Sequence, residues 1–548
     1  MSKLEVDQID PQSGTTLTLG TSGDTVVVPS GVSLAPGGGL TLTGALVVDG
    51  GTVKLDGNYP TGSNNVALGD TALDSVEAGA ERNVAIGDKA GTAITTGNNN
   101  TAIGTEALKS NTTALNNTAI GYASLCTNST GAGNTAVGQS ALCANTTASN
   151  NTAVGIESLD ANTTGASNTA LGKGSLSANT TASNNTSVGF NSLTSNTTGP
   201  SNTAVGKDAL LNNTVGDQNT AIGLSALCAN TEGGNNVAVG LNALCKNTTA
   251  TQNVAVGVYS SRDTTTGAKN TSLGYSSFRV NTTGACNVAI GNSALDANTT
   301  ASENVAVGFE SMLSNTTGSN NTAIGRCTLR ANTTAVRNTA VGAQALRDNT
   351  DGTLNTGIGV CALMKNTTGA ENTALGKSAL LCNTTGGSNV AIGQGTLVGL
   401  TTGTNNTVIG NNAGSDAVLN ATGSGSNNIA IGNNSSADAN IKIDWTVTSD
   451  LRDKMNIESV PYGLNFINQI TPIKYNFKTS REDATPSGRK RFGFSAQEIL
   501  ALEGDNPVLI NNNDVDNLKL TGAYLVPVLV NAIKELKARI EVLENEWS

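Results

Sequence analysis

The sequence lacks histidine altogether and is poor in aromatic and charged residues. Among 548 residues there is no His, aromatic residues make up 3% and charged residues 13%. Without His, a Ser or Cys nucleophile has no imidazole base, and most transition-metal sites lose their commonest ligand. We therefore expect no cofactor and no metal site. Any nucleophilic chemistry must use Lys, Asp or Glu as its base.

Long apolar runs are missing as well. No stretch approaches the ~18–20 apolar residues that span a bilayer, and residues 1–7 carry charges where a secretory signal has its apolar core. We expect a chain that is synthesised in a cytoplasm and is not inserted into a membrane. The net charge of −11 disfavours nucleic acid as a partner, since a phosphate backbone attracts basic proteins.

Glycine and one repeated phrase are abundant instead. The chain contains 64 Gly, and the phrase Asn-(Thr/Val)-Ala-(Ile/Val/Leu)-Gly begins at Asn83, at Asn100 and so on to Asn406. This span of 323 residues is nineteen periods of seventeen, so twenty copies share one register, with looser copies at Asn65 and Asn428. A constant period punctuated by Gly and Asn turns is typical of a solenoid.

Each repeat has too little apolar surface to fold alone. Two short apolar pieces, such as 119–120 and 123–125, are separated by polar turns such as 128–131. With one repeat per coil and an interstrand spacing of ~4.8 Å, twenty coils form a rod of roughly 95 Å that buries a strip of Ala, Ile, Val and Leu. Because this strip is thin, we expect three chains to share a central core. The sequence predicts a mainly β protein with a homotrimeric parallel β-solenoid or β-roll shaft at 61–440.

The repeats resemble those in the heads of trimeric autotransporter adhesins, in their pattern and not in their period. Four cysteines, Cys126, Cys143, Cys228 and Cys245, occupy one position of the repeat. We interpret them as small interior residues, because disulfide frameworks are rare in chains made in a cytoplasm.

Residues 1–60 do not share the seventeen-residue register. Short β-type runs at 17–19, 25–28 and 46–48 lie between turn residues. The stretch 3–20 resembles the N-termini of tail-fibre-like proteins from marine phages. That resemblance implies attachment to a virion tail or baseplate; the alternative is a simple cap on the solenoid.

The composition changes near Ile441. From Trp445 onward the chain holds nine of its sixteen aromatic residues, which predicts a compact α+β domain at 441–548. Its opening, 449–457, reads Ser-Asp-x-Arg-x-Lys-x-Asn-Ile. Further matching segments follow at 463–467, 472–477, 493–498 and 524–529. Together these residues resemble the endosialidase-type intramolecular chaperone domain that follows phage tail fibres, tailspikes and neck appendages.

The opening signature contains a nucleophile and a base. A Ser hydroxyl needs a base, and Lys454 is available if burial or a cation such as Arg452 lowers its pKa. In the family the chain is cut before the signature Ser. The resemblance therefore implies a single-turnover Ser/Lys endopeptidase that acts only on itself, cleaving between Thr448 and Ser449, with Asp450 completing the catalytic set. The alternative is a helix N-cap followed by a charged turn.

The final segment, 524–548, has the pattern of a coiled-coil helix. Its apolar residues follow alternating spacings of three and four over three heptads, which favours a trimeric coiled coil in a trimer-forming family. The alternative is a seam that packs on its own domain. The seam consists of Val526, Leu529, Ile533, Leu536, Ile540, Leu543 and Trp547.

These observations predict a virion protein, namely a phage tail fibre or appendage that attaches to a cell-surface glycan or protein of the host. The chaperone domain sets the register of three chains and then removes itself. A bacterial cell-surface adhesin is the alternative. A polysaccharide-degrading fibre is less favoured, because the repeats carry no recurring acidic pair and few aromatic residues to stack on sugars.

Overall fold

A computed structural model describes residues 64–414, 423–433, 449–478, 484–505, 507–512 and 518–547. The N-terminal region predicted at 1–60, and Thr448 of the predicted cleavage site, lie outside the described residues. The description below therefore covers the shaft and the C-terminal region.

The shaft is a parallel β-solenoid with one three-residue strand in each coil, as the repeat predicts. The 22 strands found among its described residues form one sheet, in which Ala102 pairs with Ala119 and Ala119 with Ala136. The register is seventeen residues from β2 to β21, eighteen at the first pair and twenty-two at the last. The strands are β1 (Val66–Leu68), β2 (Val84–Ile86), β3 (Thr101–Ile103), β4 (Thr118–Ile120), β5 (Thr135–Val137), β6 (Thr152–Val154), β7 (Thr169–Leu171), β8 (Thr186–Val188), β9 (Thr203–Val205), β10 (Thr220–Ile222), β11 (Val237–Val239), β12 (Val254–Val256), β13 (Thr271–Leu273), β14 (Val288–Ile290), β15 (Val305–Val307), β16 (Thr322–Ile324), β17 (Thr339–Val341), β18 (Thr356–Ile358), β19 (Thr373–Leu375), β20 (Val390–Ile392), β21 (Thr407–Ile409) and β22 (Ile429–Ile431).

The interior of the shaft is narrower than the sequence predicts. The middle residue of each strand points inward, and side chains such as Ala119 are fully buried beside a Leu from the following turn, such as Leu125. The third strand residue points outward: Leu171 is 47% exposed and Leu273 45%. The prediction that Ile, Val and Leu of the strand join the interior strip was therefore wrong, because side chains alternate between the two faces of a strand.

Two columns of buried Asn side chains run along the shaft. In the first, the backbone N–H of Asn100 donates to Asn83 Oδ1 at 3.0 Å, and Asn100 Nδ2 donates to the Ala114 carbonyl at 2.9 Å. In the second, Asn128 Nδ2 donates to Asn111 Oδ1 at 2.9 Å. Buried polar groups cost free energy when they lack hydrogen-bond partners. The ladders therefore favour the alignment of coils in which each Asn lies beside the equivalent Asn of the next coil.

Glycine is required where each strand ends. Gly121 has a φ of 130°, and a Cβ on this residue would lie 2.6 Å from the Gly138 carbonyl oxygen in the next coil. A side chain there would be strained in its backbone and would also clash with the neighbouring coil. The recurring Gly of the repeat therefore allows adjacent coils to approach closely.

The C-terminal region is small and mixed α/β, and it ends in a helix, as predicted. Its core contains Phe466, Ile499 and Val528. Among the described residues, no helix is long and apolar enough to cross a membrane. The elements are a 3-10 turn (Leu451–Asp453), α1 (Leu464–Ile467), β23 (Ile473–Lys478) antiparallel to β24 (Pro486–Gly493), α2 (Ala496–Glu503), β25 (Ile510–Asn511) antiparallel to β26 (Lys519–Leu520), a 3-10 turn (Gly522–Tyr524) and α3 (Leu525–Trp547).

Candidate functional site

The structure brings Ser449 and Lys454 together across a single turn. The 3-10 turn of Leu451–Asp453 reverses the chain and closes with a hydrogen bond from the Lys454 N–H to the Leu451 carbonyl at 3.2 Å. As a result, Lys454 Nζ donates to Ser449 Oγ at 2.8 Å. If the amine loses its proton, the same contact allows Nζ to accept the hydroxyl proton, as a general base must.

Asp450 and Arg452 form the frame of this turn. Asp450 caps it by accepting the Arg452 N–H at 2.9 Å, and the Arg452 guanidinium binds the same carboxylate with Nη2–Oδ2 at 2.5 Å. The side-chain hydrogen bond from Arg452 holds the pKa of Asp450 below its ordinary value, and Asp450 raises the pKa of Arg452. The positive charge of Arg452 is thus compensated by Asp450 within the turn, whereas the sequence analysis considered Arg452 as a cation that acts on Lys454.

The apolar side chains around this turn are exposed. Met455 is 83% exposed, and Leu451 and Ile457 are also open to solvent. Ser449 and Lys454 themselves are exposed. Within the single chain, therefore, the described residues do not bury the Ser449–Lys454 pair.

Contacts from α3 hold the chain segment that follows the signature. Asn531 Nδ2 donates to the Tyr462 carbonyl at 2.9 Å, and the Glu535 carboxylate accepts the Leu464 N–H, at the start of α1, at 2.8 Å. Sequence reasoning missed both residues, since a contact over about seventy residues leaves no local pattern. Asn531 and Glu535 connect the helix that carries the predicted seam to the segment that follows the Ser/Lys signature.

A buried carboxylate forms a second anchor that the sequence did not indicate. Glu503, at the end of α2, accepts the N–H groups of Val508, Leu509 and Ile510 at 2.9, 2.7 and 3.0 Å. Three backbone donors satisfy this carboxylate where burial would otherwise be costly. It fixes the loop between α2 and β25.

The predicted coiled-coil residues lie on an exposed face of α3. Leu525, Val528 and Ala532, which border this face in the first turns of α3, are buried against the domain core. Ile533 is 65% exposed, although it is apolar. The domain core therefore covers only residues beside the seam, and the seam members Leu529, Ile533, Leu536, Ile540 and Leu543 are all exposed.

Within the ranges that the structure describes, no group of three or more His, Cys, Asp or Glu residues could hold a metal ion. Residues 449–506 match the family described as chaperone of endosialidase, and the match begins at Ser449 itself. No curated protein and no solved structure matches the chain. The family match, placed behind a solenoid of about twenty coils, fits a tail fibre with a C-terminal chaperone domain.

Proposed function

We propose that the protein is a trimeric phage tail fibre or appendage whose C-terminal domain assembles the chains and then cuts itself free between Thr448 and Ser449. The observation that carries this proposal is the 2.8 Å contact between Lys454 Nζ and Ser449 Oγ. It occurs at the first residue of the segment that matches the chaperone family.

The chemistry requires only groups of the chain and one water molecule. Neutral Lys454 takes the hydroxyl proton, and Ser449 Oγ attacks the carbonyl carbon of Thr448. The bond from that carbon to the Ser449 nitrogen breaks, and the proton passes to the departing amine. Water then hydrolyses the Thr448 ester, which leaves a carboxylate on Thr448 and restores the Ser449 hydroxyl.

In this proposal, formation of the trimer buries the Ser449–Lys454 pair. Lys454 must be neutral to act as a base, and desolvation disfavours a charged ammonium. The exposed apolar side chains of Leu451, Met455 and Ile457 form a surface that neighbouring chains would cover. Cleavage would then follow trimer formation, because Lys454 becomes a competent base only when the surface around it is buried.

In such a trimer, the outward strand residues of each shaft would pack against the other two copies. The third residue of every strand from β1 to β22 is Ile, Val or Leu, and none of the strand residues is charged. This outward stripe runs the full length of the sheet. Full burial of such a side chain contributes ~1.5–3 kcal/mol, so covering a half-exposed one contributes on the order of 1 kcal/mol per coil.

In this proposal the α3 helices associate before the shafts do. Near-identical coils can align in many wrong registers of similar energy. A coiled coil of three α3 helices, buried through Leu529, Ile533 and Leu536, fixes one register before the shafts associate. Once the domain has been removed, an unfolded shaft has no chaperone to guide its refolding. The assembled shaft would then persist because it unfolds slowly.

The ends of the molecule would carry the attachments. We assign residues 1–60 to the virion tail or baseplate, and the distal end or the turns of the shaft to a glycan or protein receptor on the host cell. These assignments are supported by the tail-fibre resemblance of the sequence and by the family match behind the shaft.

The test is expression of the full chain as wild type, Ser449→Ala and Lys454→Met, followed by mass spectrometry and sedimentation. The wild type should yield a 448-residue fragment and a 100-residue fragment that begins at Ser449. Both variants should remain intact 548-residue chains in trimers. Ser459→Ala, which changes an exposed serine on the same segment, should cleave normally. A folded wild-type trimer of intact chains would refute the cleavage.

A further inference from the structure

Two pairs of cysteines stand directly above one another in neighbouring coils. The Sγ atoms of Cys126 and Cys143 are 2.8 Å apart, and those of Cys228 and Cys245 are 2.7 Å apart. All four side chains are half-buried and carry free thiols. The sequence interpretation of these residues as interior was therefore wrong, because this position of the repeat lies at the shaft surface.

The in-register stacking places each pair within reach of a covalent bond. Equivalent residues of adjacent coils are one interstrand spacing apart, ~4.8 Å, which lies inside the ~4.4–6.8 Å separation of Cα atoms across a disulfide. Backbone hydrogen bonds hold the two coils at this spacing: Leu125 N–H to the Ala141 carbonyl at 2.9 Å, and Thr127 N–H to the Cys143 carbonyl at 3.2 Å. A disulfide would thus form with little backbone movement.

The other four cysteines of the chain have no such neighbour, which provides an internal comparison. Cys327 and Cys361 share a position of the repeat but are two coils apart, and Gln344 lies between them, with the Cys361 thiol 3.5 Å from Gln344 Oε1. The coils next to Cys286 and Cys382 hold Lys, Glu or Gly at the equivalent positions. Stacking therefore singles out two pairs among eight cysteines.

One thiol in each pair has a lowered pKa. The hydrogen bond from the Cys143 thiol lowers the pKa of Cys126 to about 7. The hydrogen bond from Cys228, with the nearby charges of Lys246 and Arg262, lowers the pKa of Cys245 to about 7. Near neutral pH each pair thus contains a substantial fraction of thiolate, the form that attacks a disulfide.

We propose that Cys126–Cys143 and Cys228–Cys245 oxidise to two disulfides, each joining neighbouring coils of one chain, when the shaft meets a small-molecule disulfide such as oxidised glutathione. One thiolate of the pair attacks a sulfur of the oxidant and releases one glutathione thiol. The second cysteine attacks the resulting mixed disulfide and releases the other. The two protein thiols lose two electrons and two protons, which the two glutathione thiols carry away.

Each disulfide acts as a staple across one coil of the shaft. It joins two cysteines that are seventeen positions apart in the sequence, so the two coils cannot separate without breaking a covalent bond. Local opening of the solenoid at these coils would be suppressed in an oxidising environment outside the host cell. The inference does not depend on self-cleavage, since all four residues precede Thr448.

The test is thiol counting on the full chain. Protein purified under reducing conditions is exposed to oxidised glutathione, unfolded in N-ethylmaleimide and weighed as intact chains. The reduced wild type should take up eight maleimides. The oxidised wild type should take up four, the eight cysteines less the two pairs, and peptide mapping should find 126 joined to 143 and 228 joined to 245.

Single substitutions test which cysteines form the pairs. Oxidised Cys126→Ser should retain five free thiols, because Cys143 loses its partner while the second staple still forms. Cys382→Ser, which changes an unpaired cysteine, should retain three free thiols and both staples. Serine and threonine occupy the same position in other coils, at Ser177 and Thr194, so Ser fits the fold. Eight maleimides after oxidation, or a cross-link between chains or between other cysteines, would overturn the proposal.

Discussion

The second Asn column contains a natural defect at which the energetic value of the ladder can be measured. Asn247 Nδ2 donates to Asn230 Oδ1 at 2.7 Å, but Asn247 Oδ1 has no hydrogen-bond partner among the described residues. The next coil has Thr264 at this buried position, and Asn281 Nδ2 reaches Thr264 Oγ1 only at 3.4 Å. Thr264→Asn should repair the ladder, since Asn and Thr are of similar volume.

The expected gain follows from the bonds that the substitution restores. The new amide nitrogen would donate to Asn247 Oδ1, and the new amide oxygen would accept from Asn281 Nδ2 at the 2.7–3.0 Å seen for neighbouring links such as Asn298 to Asn281. An unsatisfied buried polar group costs ~1–3 kcal/mol. We therefore expect roughly 1–2 kcal/mol of local stabilisation, or about 5- to 30-fold slower hydrogen exchange in these coils.

Hydrogen exchange with peptide-level mass spectrometry is the assay, because a solenoid opens coil by coil. Exchange should slow in peptides that contain 247–281 and stay unchanged in distant coils. The exposed Thr266→Asn is the matched control. The reverse change, Asn145→Thr, should speed exchange by a similar factor, since it leaves Asn128 Oδ1 without the donor that now lies at 2.7 Å. Unchanged or faster exchange in Thr264→Asn would refute the ladder argument.

Three further predictions concern the coils, the seam and the turn. Gly121→Ala should destabilise its coil by roughly 2–4 kcal/mol through φ strain and a clash with the next coil, measured by local hydrogen exchange, whereas Gly399→Ala, with no atom within 4 Å of its new Cβ, should not. Ile533→Asp should abolish the trimer in sedimentation velocity, and a persisting trimer would exclude α3 as the assembly helix. The pKa of Asp450 is lower in the folded than in the unfolded chain, so its ion pair with Arg452 should be intact at any pH above the ordinary pKa of Asp and be lost only as the pH falls through the lowered pKa. A carboxyl NMR titration should show that Arg452→Gln raises the pKa of Asp450. An unchanged pKa would contradict the pairing.

Local sequence patterns predicted the candidate site only in part. The five-residue spacing of Ser449 and Lys454 allowed a contact, and the single 3-10 turn between them brings Nζ and Oγ together. Asn531 and Glu535 had no such signal. Their contacts depend on how α3 packs against α1, and packing joins residues that are distant in sequence.

The sequence by itself determined the period, the number and the parallel stacking of the coils, because one phrase recurs every seventeen residues and each coil must pair with its neighbours. It also predicted the apolar seam of α3, which a 3,4 spacing defines without reference to the rest of the fold. Tertiary structure alone decided which strand residues face inward. A strand of three residues is too short to show alternation in its sequence, so the inward Ala and the outward stripe at Leu171 became distinct only once the coil had closed. The same closure placed Cys126 beside Cys143, because sulfur atoms seventeen residues apart meet only when the coils stack in register.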